Sequence, residues 1–138
     1  MPLIPSSDTT PIRAFKDNLK TLLMEKIPSI KQVYFHYPDK GYVLPSIIIT
    51  TLSISDYLRK IGGDTRIYRY AFSVDIWAKT SNEREELADK VTDVLKDRVN
   101  IVEVDAYDIS LIGGREIQQE GVVEFRMILS FNALLSQT

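Results

Sequence analysis

From Tyr68 to Trp77 the chain alternates one for one. Tyr68, Tyr70, Phe72, Val74 and Ile76 interleave with Arg69, Ala71, Ser73, Asp75 and Trp77. A period of two over that length commits the segment to an extended strand with one face turned to a core. Upstream, Pro45 introduces a β-branched run from Ile47 to Ile54, which reads as a buried strand. A polar connection, residues 55–65 with Gly62-Gly63-Asp64 near its end, separates the two. The spacing predicts a long hairpin of residues 46–54 with 66–78.

Two helices flank this hairpin. Thr10 offers an N-cap oxygen, and Pro11 suits the first helical position, where a missing N–H costs nothing. Ile12, Phe15, Leu19, Leu22, Leu23 and Ile27 follow at helical spacing until Pro28 stops the run. The polar face of this helix carries Arg13, Lys16, Lys20 and Lys26. The second helix is expected from Thr80, with Glu83 three residues on as a capping box, to about Arg98, with Leu87, Val91, Val94 and Leu95 inward. Its early acidic residues suit the helix dipole.

Val33, Tyr34, Phe35 and Tyr37 suggest a short strand ended by the turn Pro38-Asp39-Lys40-Gly41. The last third reads as another hairpin. Val102, Val104 and Ala106 lead into Tyr107, Ile109 and Leu111, and Val123 to Ala133 alternate through a final strand. The glycines Gly113-Gly114 and Gly121 are expected to bracket its turn. The order is then α-β-β-β-α-β-β. Strands following strands argue an α+β fold, an antiparallel or mixed sheet with long hairpins, covered on one face by two helices.

A chain of 138 residues suits one domain. Residues 10–138 are assigned to it, and residues 1–9, rich in Pro, Ser and Thr, to an N-terminal arm. At this length about two-thirds of the extended chain's surface can be buried, enough for a core without covalent staples. With 44% hydrophobic and 26% charged residues, the chain is neither disordered nor of low complexity.

Composition also excludes chemistries. With no cysteine there is no disulfide, thiolate metal site or thiol nucleophile. A single histidine, His36, makes a catalytic triad or a two-histidine zinc site hard to build. An enzyme is not expected, nor a cofactor or metal. No apolar run approaches the ~20 residues that span a bilayer. The segment Met1-Pro2-Leu3-Ile4-Pro5 lacks the basic and apolar regions of a signal peptide, so a soluble chain made in the cytoplasm is expected.

Net charge is −2 but unevenly spread: residues 1–70 hold 10 basic and 6 acidic side chains, residues 71–138 hold 7 and 13. That balance is too mild for a dedicated duplex-DNA binder. It admits a head-to-tail contact in which a basic surface of one copy meets an acidic surface of the next.

Few residues look like a site. His36, between two aromatics, reads as a structural histidine at a strand end. Gly62-Gly63-Asp64-Thr65 and Gly113-Gly114-Arg115 lack the strand–loop–helix context of a phosphate loop and are expected at hairpin turns. Asp105 and Asp108, three apart, would point to opposite faces of a strand and could converge only on a loop, and Asp75 stands mid-strand, so an acid–base or metal-binding carboxylate pair is not expected here. Trp77 is expected in the core. Arg59, Lys60, Arg66 and Arg69 cluster around the 55–65 connection. They make a mildly basic hairpin end, fitted either to subunit or DNA contact or to guarding an exposed strand edge.

Several stretches resemble the tail terminators (tail completion or head–tail joining proteins) of long-tailed bacteriophages. An opening helix is followed by Val33-Tyr34-Phe35-His36-Tyr37-Pro38, then Pro45-Ser46-Ile47-Ile48-Ile49 enters a long strand. The alternating strand from Tyr68 to Ala78 runs through Asp75-Ile76-Trp77-Ala78-Lys79-Thr80-Ser81-Asn82-Glu83 straight into the helix of Leu87-Ala88-Asp89-Lys90-Val91. The closing aromatic strand, Phe125 to Phe131, completes the likeness over roughly residues 10–135. The resemblance implies an α+β subunit of a hexameric ring that ends tail-tube polymerisation and joins tail to head connector, without cofactor or catalytic residues. Its implied partners are copies of itself, the major tail tube protein, a head-completion or connector protein, and DNA in passing. Its implied place is the virion, after assembly in the host cytoplasm, with no membrane. A head-completion or neck protein, or another tail component, fits the same pattern. A small nucleic-acid-binding module using the basic helix and the 55–69 hairpin is the alternative of another class.

Overall fold

A computed structural model of the chain describes residues 11–38, 43–59, 66–96, 99–101, 104–117 and 125–137. Its elements are α1 (Pro11–Lys26), β1 (Gln32–Tyr34), β2 (Ser46–Arg59), β3 (Arg66–Ala78), α2 (Ser81–Val94), β4 (Val99–Ile101), β5 (Val104–Ile117) and β6 (Phe125–Gln137). The strands form one sheet in the order β1-β2-β3-β6-β5-β4. All neighbours are antiparallel except β1 with β2. The expected α+β class and succession hold, with the short strand β4 added before β5. The expected arm, residues 1–9, lies outside the described residues.

Alternation along β3 builds the core. Tyr70, Phe72, Val74 and Ile76 are fully buried and share one cluster with Phe15, Leu19 and Leu23 of α1 and Leu87 and Val91 of α2. Both helices therefore cover the same sheet face. Phe15 meets Tyr70 and Phe72 edge-on, with ring centroids 5.6 and 5.4 Å away, while Phe72 stacks on Phe131 of β6. The Tyr70 hydroxyl shares a 2.9 Å hydrogen bond with Thr51 Oγ1, so its one polar atom is satisfied inside the core.

Several boundaries move. β2 extends to Arg59, five residues beyond the expected strand, so residues 55–59 of the expected connection are strand. Helix α2 ends at Val94, short of Arg98, because Leu95 leaves helical geometry and turns into the core. Gly113-Gly114 is not a hairpin turn but lies inside β5. Two register shifts interrupt β5 there and at Tyr107/Ser110, and these bulges absorb extra residues that a sequence count assigns to a turn. Gly114 is a close-approach site: a Cβ there would stand 2.8 Å from Leu129 Cδ2. Gly62 and Gly63 lie outside the described residues.

Candidate functional site

The junction between β3 and α2 is built as expected, with one difference. Thr80 caps the helix, its Oγ1 accepting from Glu83 N at 3.1 Å. The Glu83 carboxylate reaches back past the cap to accept from Lys79 N at 2.8 Å. Arg84, in the next position, is buried, and its Nη2 donates to Glu116 of β5 at 2.9 Å and to Glu85 at 3.2 Å. Its guanidinium also lies 5.8 Å from the Phe125 ring. The start of α2 is thus fastened to β5 and β6.

The other face of the sheet carries a polar cluster at the same end. Asp75, with no solvent exposure, accepts on Oδ2 from Arg126 Nη2 at 2.6 Å and from the Tyr37 hydroxyl at 2.9 Å. Arg126 lies over the Trp77 ring at 4.5 Å, and Tyr37 packs 6.2 Å from the same ring. Trp77 is therefore not core, as expected from sequence, but half-buried on the face away from both helices, because the alternation that buries Ile76 turns Trp77 outward. Burial first, then the hydrogen bond and charge of Asp75, push the Tyr37 hydroxyl above its ordinary value. Oδ1 of Asp75 has no hydrogen-bond partner among the described residues. The cluster pins the segment after β1 onto the sheet. It pairs one carboxylate with one guanidinium and one phenol. Among the described residues no group of three or more His, Asp or Glu side chains is placed to hold a metal ion.

The expected basic end falls partly outside the described residues. Arg59 and Arg66 are register partners where β2 and β3 end, and exposed Arg69 pairs with Ser55 three residues inward. Lys60 lies outside the described residues. The basic face of α1 is less open than its spacing implies: Lys16 and Lys20 sit 5.0 and 5.8 Å from the Phe35 ring, and burial lowers the Lys16 ammonium's pKa. His36 is exposed, two residues beyond β1. Asp105 and Asp108 lie on β5, but their side chains are outside the description.

Sequence reasoning missed the sheet's long edges. β1 pairs only with Ser46–Ile48 of β2, and β4 only with Val104–Ala106 of β5. Among the described residues nothing else pairs with the outer edges, which leaves eleven residues open on each 14-residue strand. These edges expose Leu52 and Ile54 on β2, and Leu111 and Ile112 on β5. Beside β5, Leu111, Met127 and Leu129 floor a groove of about 420 Å³, rimmed by Glu85, Asp89 and Asp93 of α2. No described helix is long and apolar enough to cross a membrane.

No family model and no curated protein matches the chain. Among solved structures it is similar to a chain of the virion of a native gene transfer agent (GTA) particle. That likeness has a TM-score of 0.56 at 17% identity and covers 89% of this chain and 92% of the other. At this identity the likeness is one of fold.

Proposed function

We propose that the chain is a structural subunit of a phage-like virion. It forms a closed ring of about six copies at the end of the tail tube, stops tube polymerisation and receives the head connector. The observation that carries this reading is the shared fold with a virion chain over nearly the full length of both. The sequence resemblance to tail terminators supplies the place in the particle.

Physical features support the reading. Two long strand edges with exposed apolar side chains suit pairing with neighbouring subunits. A head-to-tail interface whose rotation closes makes a ring rather than a filament. In the ring, the basic end with Arg59, Lys60, Arg66 and Arg69 serves subunit or lumen contact, where DNA passes without being read. Function then lies in assembly and needs neither catalysis nor a cofactor.

The test is tube capping. Purified chain is added to a polymerising tail-tube protein, and tube length and composition are followed by negative-stain microscopy and sedimentation. The expected result is shorter tubes carrying the chain at one end. Tubes of unchanged length, with the chain left in the supernatant, would contradict the proposal, and co-purification with filled heads alone would point to a neck protein.

A further inference from the structure

Resting on the ring reading, we infer that the open edge of β2 in one copy pairs antiparallel with the open edge of β5 in the next, so that the sheet continues from subunit to subunit. Strand directions set the sense. The antiparallel steps from β2 through β3 and β6 to β5 leave β2 and β5 running in opposite directions on opposite sides of the sheet. Rotation about an axis along the strands preserves each strand's direction, so β5 of one copy meets β2 of the next antiparallel. A two-fold dimer would instead join β2 to β2 or β5 to β5.

The heights also match. Thr51 pairs with Phe72, Phe72 with Phe131, and Phe131 with Leu111. Leu52 follows Thr51 as the unpaired residue of a bulge, and Ile112 follows Leu111 in the same way. The two side chains are 54% and 56% exposed, the highest values among the large apolar residues described. Leu52 lies on the Ala71 side of the shared Thr51–Leu111 level and Ile112 on the Ser73 side, so the two flank one level on the opposite edges. In a ring whose axis runs along the strands there is neither rise nor stagger between copies, so residues at one height meet. β1 and β4 lie at opposite ends of the sheet, at the levels of Trp77 and Arg66, and leave this middle level clear on both edges. The bulges restrict pairing to short straight stretches, which favours one neighbour over indiscriminate edge association.

The absence of cysteine makes a clean test. Ser53 and Ser110 are exposed, and the register places them at one height, through Ala71 and Asn132. The double variant Ser53→Cys/Ser110→Cys, a slip control two ladder positions away, Ser53→Cys/Gly113→Cys, and both single serine variants are oxidised mildly, alongside a mass measurement in solution. The inference expects a ladder of covalent oligomers from a double variant and monomer from each single one. Dimers from Ser53→Cys or Ser110→Cys alone overturn it in favour of a two-fold contact. No ladder from a protein whose mass shows a ring overturns the edge pairing and leaves the ring reading standing. No ladder from a protein that stays monomeric, also beside a polymerising tail-tube protein, overturns both.

Discussion

Arg126 on β6 reaches across to β3 and donates to Asp75 at 2.6 Å, over a carboxylate with no exposure to solvent. Removing one partner of such a pair leaves the other charge buried and uncompensated, which costs about 3–5 kcal/mol. Arg126→Ala is therefore expected to lower the urea midpoint sharply. Arg126→Met with Asp75→Asn removes both charges and is expected to recover much of the loss. A double variant no better than Arg126→Ala would show that the two groups are not coupled.

The Thr80 hydroxyl caps α2 and holds it at the end of the longest alternating strand. Thr80→Ala is expected to cost about 1 kcal/mol. Thr80→Ser keeps the oxygen and is expected to stay within a few tenths of the parent. Equal losses in the two variants, measured by urea unfolding, would argue against the cap.

Two adjacent glycines differ in their surroundings. An added Cβ at Gly114 meets Leu129 at 2.8 Å, whereas at Gly113 it meets nothing within 4 Å. Gly114→Ala is expected to destabilise by about 1–3 kcal/mol through overpacking. Gly113→Ala is expected to be neutral or stabilising by up to about 1 kcal/mol, since it restricts the unfolded chain. The reverse order would show that Leu129 yields freely.

Burial raises the pKa of Tyr70, and burial together with Asp75 raises that of Tyr37. Both folded values then exceed the unfolded value near 10. The folded state favours the protonated phenols, so their stabilisation is complete below about pH 10 and is lost as pH rises through the folded values. The urea midpoint is expected to hold from pH 8 to 10 and fall above it, less steeply in Tyr37→Phe. A midpoint unchanged to pH 12 would contradict this.

Local signals carried most of the architecture. The strict alternation from Tyr68 to Trp77 and the Thr80/Glu83 spacing placed β3, the start of α2 and the shared helix-covered face. Features set by neighbouring strands were not legible. Gly113-Gly114 looks like a turn because a bulge and a close approach to Leu129 demand the same small residue that a turn does. The Asp75 pairing was hidden for a related reason: a lone carboxylate mid-strand gains meaning only when Arg126, fifty-one positions later, is brought beside it. The open edges follow from β1 and β4 being only three residues long, a length no periodicity reveals.

The mass of the purified chain in solution, by multi-angle light scattering with negative-stain images of the same sample, tests the ring most directly. The expected result is a species near six times the 15.8 kDa of one chain, seen as a closed annulus. A mass that stays at 15.8 kDa at every concentration, and beside a polymerising tail-tube protein, would contradict it.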